Sequence, residues 1–187
     1  MSLRVIAGKA KGRKLKSVPG VTTRPVTDMV KESLFNILAG DVLDSHWWDL
    51  FGGTGAIGIE ALSRGASLVR FSDLNRLPIE IIKENLSVTG FSNQAEVRRV
   101  DAFRWLASPT DHSFDFVYIA PPQYKEMWSQ ALILVDQNPG WLNEDAMVIV
   151  QIHPKEYQDI TLDILKKFDE RHYGSTMLMF YNQAEKE

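Results

Sequence analysis

The fold is decided by the stretch Asp49-Leu50-Phe51-Gly52-Gly53-Thr54-Gly55-Ala56-Ile57-Gly58. Bulky residues from His46 to Phe51 predict a buried strand, and the apolar spacing from Ala56 to Arg64 predicts a helix. The glycines between them let the backbone take positive φ and let a ligand approach closely. The first turn of the helix then offers unpaired N–H groups and the positive end of the helix dipole. The stretch therefore predicts a strand-turn-helix unit that suits a carboxylate or a phosphate.

Two classes of ligand fit this turn, and a tight turn that binds nothing is the third interpretation. Gly53, Gly55 and Gly58 satisfy G-x-G-x-x-G, the fingerprint of dinucleotide binding. Asp49 and Phe51 extend the pattern to D-x-F-x-G-x-G, which resembles the first motif of Rossmann-like methyltransferases that use S-adenosylmethionine (SAM). Four glycines in seven residues weaken folding unless something needs the room, so the pattern favours a bound ligand.

The composition is typical of a single globular domain. The chain has 187 residues, of which 44% are hydrophobic and 24% are charged. No apolar run is long enough to span a membrane, and the basic N-terminus lacks the apolar segment of a secretory signal. The chain has no cysteine, which excludes disulfides and thiolate metal sites. We expect a cytoplasmic protein with no membrane or metal partner, and a monomer as its oligomeric state.

Positive charge is concentrated at the N-terminus. The net charge is −3, but the first 24 residues carry seven basic and no acidic side chains, which leaves 14 basic against 24 acidic residues, or −10, elsewhere. Residues 3–6 and 13–18 have strand-like patterns around a turn at residues 8–12, which predicts a basic hairpin. A solvated tail is the alternative, but a structured basic hairpin favours contact with nucleic acid. The residues predicted to contact RNA are Arg4, Lys11, Arg13, Lys14 and Arg24.

Acidic residues follow the next two predicted strands. Residues 67–71 form a strand that ends at Asp73, which lies 18 residues beyond Gly55 and can accept hydrogen bonds from ribose hydroxyls. Residues 95–100 form a strand that ends at Asp101. Asp101 can accept from an adenine amino group, or it can cap the following helix at residues 103–107, and both roles are compatible.

Two adjacent prolines follow the fourth predicted strand, residues 114–119. The loop reads Ala120-Pro121-Pro122-Gln123-Tyr124, and the prolines stiffen it and remove two backbone donors. The carbonyls of Ala120 and Pro121 can then accept from a substrate N–H, and Tyr124 offers a face on which a base can stack. A Pro-Pro turn with a core tyrosine is the alternative interpretation.

The remaining elements complete an alternation of strands and helices. Helical patterns cover residues 26–38, 77–88, 125–135 and 157–168, and strand patterns cover 146–152, 171–173 and 175–181. The polar face of the first of these helices carries Asp28, Lys31, Glu32 and Asn36, and we expect most of these side chains to be solvated. The four histidines have no metal-ligand spacing, and we interpret them as structural. The alternation predicts an open, mostly parallel α/β sheet whose ligands bind beyond the carboxyl ends of the strands.

The chain resembles the RsmD-type methyltransferases, which methylate the exocyclic N2 of a guanine in small-subunit ribosomal RNA. The resemblance runs over most of the chain, and three stretches carry it: residues 4–15, residues 23–38 and residues 49–66. It implies a Rossmann-like class I fold with a seven-stranded, mostly parallel sheet whose last strand is antiparallel and whose faces are covered by helices. It also implies one domain over 1–187, with a hairpin at 1–20, a helix over the cofactor at 21–40 and the core at 41–187.

The resemblance also implies site residues. The SAM-binding residues would be Asp49, Phe51, Gly52, Gly53, Thr54, Gly55, Asp73 and Asp101, and the catalytic loop would be Ala120, Pro121, Pro122 and Tyr124. The stretch from Phe51 to Gly55 would hold the methionine part of SAM. This chain departs from the family in the catalytic loop, where the usual motif is Asp-Pro-Pro followed directly by Phe or Tyr. Ala120 replaces the carboxylate, and the aromatic residue comes one position later.

The sequence thus predicts a SAM-dependent RNA methyltransferase, with guanine N2 in small-subunit (16S) ribosomal RNA as its target. The missing carboxylate at Ala120 leaves open a protein of this fold that binds SAM and RNA without transferring a methyl group. An N6-adenine methyltransferase is a second alternative, because adenine-amino enzymes use a similar Pro-Pro loop. A nucleotide-dependent oxidoreductase is a third, which Asp49 and the Pro-Pro loop disfavour.

Overall fold

The computed structural model describes residues 3–19, 27–123 and 126–184. The helices are α1 (Asp28–Leu38), α2 (Ala56–Ser63), α3 (Arg76–Thr89), α4 (Ala102–Leu106) and α5 (Met127–Gln137). The strands are β1 (His46–Asp49), β2 (Leu68–Asp73), β3 (Ala95–Arg99), β4 (Phe114–Ile119), β5 (Leu142–Ile152), β6 (Leu165–Tyr173) and β7 (Thr176–Gln183). Short 3-10 turns join several of them.

The seven strands form one sheet in the order β3-β2-β1-β4-β5-β7-β6. The first five strands along the chain run parallel, and β7 lies antiparallel between β5 and β6. The predicted mostly parallel, seven-stranded α/β sheet with an antiparallel last strand is confirmed. In the register of the sheet, Asp49 pairs with Phe71 on one side and Tyr118 on the other, so the carboxyl ends of β1, β2 and β4 lie at the same edge.

Side chains of successive strand residues point to opposite faces of the sheet, and helices cover both faces. Trp47 faces a core that α1, α2 and α3 cover, and the adjacent Trp48 faces a second core that α4 and α5 cover. Both indoles are fully buried, and each N–H donates to a serine hydroxyl, Ser45 for Trp47 and Ser72 for Trp48. Buried aromatic residues of this size contribute much of the apolar area that stabilises a domain.

The N-terminal segment, residues 3–16, packs along α2. Its two arms meet at one antiparallel bridge between Arg4 and Lys14, flanked by backbone hydrogen bonds from Val5 to Arg13 and from Leu15 to Leu3. The arms therefore pair over a shorter length than the strand patterns at residues 3–6 and 13–18 indicate. The chain reverses direction between them at residues 8–12, where both Gly8 and Gly12 have positive φ.

The last third of the chain differs from the prediction. The helix predicted at residues 157–168 is wrong, because this stretch is irregular up to Leu165, where the nine-residue strand β6 begins. The carboxylate of Asp136 accepts the backbone N–H groups of residues 163, 164 and 165 at 2.8, 2.9 and 2.7 Å. These bonds fix the backbone in the entry to β6, and the strand predicted at 171–173 is only the end of that longer strand.

Candidate functional site

The loop after β1 is held close to the sheet by its glycines. Gly55 precedes α2 with φ 76°, a conformation that favours glycine, and as the N-cap residue it has no side chain with which to cap the helix. A Cβ atom at Gly58 would lie 2.3 Å from the Phe71 ring, so only glycine allows the first turn of α2 to pack this closely on β2. The first turn of α2 therefore places backbone N–H groups at the glycine loop.

Asp49 lies at the end of β1 beneath this loop. Its side chain is buried, and one carboxylate oxygen accepts the backbone N–H of Gly58 at 3.4 Å. Burial raises the pKa of Asp49 to about 7, and the charge of nearby Asp73 adds to this shift, whereas the Gly58 hydrogen bond opposes it. A carboxyl group held in this way ionises near neutral pH and attracts a positive charge.

Asp73 ends β2 and closes the other side of the loop. Its Oδ2 accepts the N–H of Gly53 at 3.2 Å, and its Oδ1 accepts the N–H of Asn75 at 2.9 Å. Burial raises the pKa of Asp73, although these backbone hydrogen bonds oppose the shift. Asp73 thus accepts backbone N–H groups from the glycine loop and from the turn that follows β2.

Asp101 follows β3 and caps α4. Its Oδ1 accepts the N–H groups of Phe103 at 2.9 Å and Arg104 at 3.2 Å, so the predicted helix-capping role is confirmed. The Phe103 ring meets the Phe51 ring of the glycine loop with centroids 5.9 Å apart, which connects α4 to the first loop. Asp101 therefore belongs to the same edge of the sheet as Asp49 and Asp73.

Ala120, Pro121 and Pro122 come directly after β4, next to the end of β1. Leu50 donates its N–H to the carbonyl of Tyr118 at 3.0 Å, which fixes the start of this loop against the strand that carries Asp49. Ala120 and Pro121 are half-buried, and Pro122 is exposed. Tyr124 lies outside the described residues, so its stacking role stays a prediction.

The predicted RNA contacts lie on the N-terminal segment, away from the acidic loop. Lys11, Arg13 and Lys14 are exposed, and Arg4 forms an ion pair with Asp28 at 3.0 Å. Arg24 lies outside the described residues. An open cavity of about 590 Å³ lies beside the turn of this segment, between residues 8–9 and 63–67, and is therefore at the far end of α2 from the glycine loop.

Three buried polar residues that connect the N-terminal segment to the core were not anticipated from the sequence. Lys31, predicted to be solvated, is fully buried and lies 3.6 Å from the carboxylate of Glu60. Glu60 also accepts the N–H groups of Ile6 at 2.8 Å and Ala7 at 3.0 Å. Asn85 on α3 also donates to backbone carbonyls of Lys16 and Thr54. The sequence carries no signal of these contacts, because a polar residue in an amphipathic helical pattern is normally expected on the solvated face.

The described parts of the chain hold no helix that is both long and apolar enough to cross a membrane. Over the same residues, no group of three or more histidine and acidic side chains has an arrangement that would hold a metal ion. The ring nitrogens of His46 and His112 lie 2.9 Å apart near the amino end of β1, remote from the acidic loop.

Comparisons with known proteins agree with this geometry. An Escherichia coli structure titled "Putative methyltransferase yhhF" superposes with a TM-score of 0.87 at 29% identity and covers 100% of both chains. A Bacillus subtilis protein named "Putative rRNA methyltransferase YlbH" is 37% identical over 184 residues, which are 97% of this chain and 99% of that protein.

A second sequence relative and a family model extend the match. The "Ribosomal RNA small subunit methyltransferase D" of Haemophilus influenzae is 37% identical over 151 residues, 80% of this chain and 78% of that protein. A family model described as "Conserved hypothetical protein 95" matches residues 3–182. The chain therefore belongs to the family that this model describes, the RsmD-type family of Rossmann-like, SAM-dependent methyltransferases.

Proposed function

We propose that this protein transfers a methyl group from SAM to the exocyclic N2 of a guanine in small-subunit ribosomal RNA, in the cytoplasm. The observation that carries the proposal is the placement of two acids, Asp49 and Asp73, around the glycine loop that begins α2, directly beside the Pro-Pro loop. The names of the relatives in Bacillus and Haemophilus support ribosomal RNA as the substrate class.

The acidic loop fits a cationic cofactor. SAM carries a positive sulfonium, an ammonium, a carboxylate and two ribose hydroxyls. The ionised form of Asp49, a buried carboxyl with a pKa of about 7, would be stabilised by an adjacent positive charge. Asp73 would accept from the ribose hydroxyls, and N–H groups at the start of α2 other than that of Gly58, which Asp49 accepts, would bind the carboxylate of SAM.

Asp101 and the glycine loop would complete the pocket. Asp101 uses Oδ1 to cap α4, which leaves Oδ2 for an adenine amino group. Phe51, Gly52, Gly53, Thr54 and Gly55 would surround the methionine part. Bound here, SAM supplies an electrophilic methyl group, so the chain itself needs no covalent intermediate and acts by placing the acceptor in line.

The Pro-Pro loop would orient the acceptor. A guanine amino group is a poor nucleophile because its lone pair is delocalised into the ring. The carbonyls of Ala120 and Pro121 would accept its N–H groups, and Tyr124 would stack on the base. Removing one polar group at a reacting centre typically costs 10²–10³ in rate. Because positioning alone can supply about 7–11 kcal/mol of a barrier, the loop remains competent without the family's carboxylate.

The catalytic loop is also compatible with two other functions. Ala120, where the family has Asp, is the feature that favours a protein that binds SAM and RNA without catalysis. The same Pro-Pro loop is compatible with methylation of adenine N6. Methylation of guanine in the small ribosomal subunit agrees better than either alternative with the name of the Haemophilus relative, "Ribosomal RNA small subunit methyltransferase D".

The proposal is tested by methyl transfer from radiolabelled SAM to small ribosomal subunits from cells that lack this protein. The natural chain should label the RNA, and Ala120→Asp should raise the rate by up to about 10²-fold if a carboxylate adds to the carbonyl contacts. Subunits from wild-type cells, which are already methylated, serve as the control and should accept little label.

Failure of transfer would have a clear meaning. If the natural chain binds SAM but labels no RNA, the catalytic proposal is wrong and the binding-only function replaces it. If only Ala120→Asp labels the RNA, the natural loop has lost its activity at this one side chain.

A further inference from the structure

Asn85 connects two parts of the proposed site that are distant in sequence. It lies on α3 with 1% of its surface exposed, and all its side-chain hydrogen bonds go to backbone groups. Its Oδ1 accepts the N–H of Lys16 at 2.8 Å, and its Nδ2 donates to the carbonyls of Lys16 at 3.1 Å and Thr54 at 2.9 Å. One buried amide therefore contacts both the N-terminal segment and the glycine loop.

The two partners of Asn85 have different proposed tasks. Lys16 lies two residues after Lys14 and closes the basic segment that we propose as the RNA contact. Thr54 lies between Gly53 and Gly55 in the loop that we propose to hold SAM. The oxygen and nitrogen of one amide are fixed relative to each other, so a shift of Lys16 must move the donor to Thr54 or break one of the bonds.

We propose that Asn85 is a positioning residue that couples the N-terminal segment to the cofactor loop, so that RNA and SAM favour each other's binding. The inference rests on the proposed function, because it needs both ligands to bind where we place them. A buried amide that loses a partner is costly, which favours the arrangement in which all three bonds are intact. Whichever ligand orders its own side of Asn85 thereby orders the other side.

The size of the effect follows from linkage. Coupling between two sites typically changes each affinity 5–150-fold, and the change must be the same in both directions. A single amide with three hydrogen bonds places the expected value at the lower end, roughly 5–10-fold.

The chain offers a matched control at the other end of the same segment. Ser63 Oγ accepts the N–H of Ala10 at 2.9 Å and donates to the carbonyl of Ala7 at 2.6 Å. Ser63→Ala therefore loosens the N-terminal segment without changing a contact to the glycine loop. It should weaken RNA binding but keep the coupling.

The test measures the dissociation constant of S-adenosylhomocysteine, which cannot donate a methyl group, with and without saturating small-subunit ribosomal RNA. In the natural chain and in Ser63→Ala, we expect RNA to tighten binding roughly 5–10-fold. In Asn85→Ala, the ratio should fall to about 1 while each ligand still binds alone. Circular dichroism melting checks that each variant is folded.

Three results would contradict the inference while the natural chain still binds RNA. The inference is wrong if RNA leaves the dissociation constant of S-adenosylhomocysteine unchanged in the natural chain. It is also wrong if RNA tightens this binding in folded Asn85→Ala as much as in the natural chain. Loss of the ratio in Ser63→Ala as well would mean that segment docking in general, and not Asn85, carries the effect. If the natural chain binds S-adenosylhomocysteine but no RNA, the proposed function itself is wrong and the inference falls with it.

Discussion

At the scale of single residues, Asp49 has the most unusual environment in the candidate site. Its carboxyl group is buried, and the negative charge of Asp73 repels its ionised form. Ionisation of Asp49 is therefore unfavourable without a ligand. Folding alone would favour a neutral residue at this position. A carboxyl group that is retained at this cost to stability is typical of a functional site.

In the proposed site, Asp49 should make the affinity for SAM depend on pH. Its pKa is about 7, so the group is largely neutral at pH 6 and largely ionised at pH 8. A cationic ligand binds the ionised form, and we expect the affinity for SAM to fall roughly tenfold from pH 8 to pH 6. Isothermal titration calorimetry at several pH values measures this directly. An affinity that is the same at both ends of the range would contradict the role of Asp49.

Asp49→Asn is the matched control for this prediction. The amide keeps an acceptor for Gly58, so SAM should bind weakly with little pH dependence. Because the folded-state pKa of Asp49, about 7, is raised above its unfolded value of 3.8, burial of this carboxyl group destabilises the fold most above pH 7; the penalty shrinks as the pH falls below 7 and is gone only below about 3.8. The variant should consequently be more stable at pH 8, by about 2–4 kcal/mol in urea unfolding.

Residues in the turns could be predicted from the sequence, whereas buried polar residues on helices could not. Asp49, Asp73 and Asp101 each follow a strand, and in a parallel sheet the ends of neighbouring strands meet at one edge. Lys31 and Asn85 lie on helices, where a polar side chain is normally solvated. They are buried by segments that are distant in sequence, the N-terminal segment for both and the glycine loop as well for Asn85, and no local pattern encodes these contacts.

At the scale of elements, the N-terminal segment is anchored by its backbone and leaves its basic side chains exposed. Glu60 and Ser63 on α2 accept its N–H groups, and buried Lys31 donates to the carbonyl of Arg4. Burial lowers the pKa of Lys31, and the ion pair with Glu60 opposes that shift. The anchoring uses the backbone, so Lys11, Arg13 and Lys14 can be replaced without undoing it.

Replacement of Lys11, Arg13 and Lys14 by Ala should therefore weaken RNA binding and leave the fold intact. Removal of one phosphate contact reduces the slope of log K against log salt by about 0.7–0.9, so removal of three would reduce it by roughly 2–3. Filter binding at 50–200 mM salt measures the slope, and thermal melting checks the fold. A slope equal to that of the natural chain would mean that RNA binds elsewhere.

The elements in the middle of the chain were predicted well because each strand-turn-helix unit carries its own signals. Glycine turns, an N-cap at Asp101 and apolar periodicity place them within a few residues of the observed bounds. The prediction fails at the entry to β6, because the backbone conformation there depends on hydrogen bonds to Asp136, some 27 residues away in sequence. The division into segments 1–20, 21–40 and 41–187 stays a prediction.

At the scale of the whole molecule, the sheet order brings together the loops that we propose to bind SAM and the acceptor base. The ends of β1, β2 and β4 place the acidic loop beside the Pro-Pro loop, and α2 connects that loop to the segment that carries the basic side chains. The chain is acidic overall, at −3, so the basic N-terminal segment is the surface that we propose attracts RNA.

The most direct test of guanine N2 methylation is the identity of the methylated nucleoside. Small-subunit RNA, methylated by the purified protein, is digested to nucleosides and analysed by mass spectrometry against unreacted RNA. The account predicts a gain of N2-methylguanosine at one position per subunit. A gain of N6-methyladenosine, or no new methylated nucleoside from a chain that binds both SAM and RNA, would contradict it.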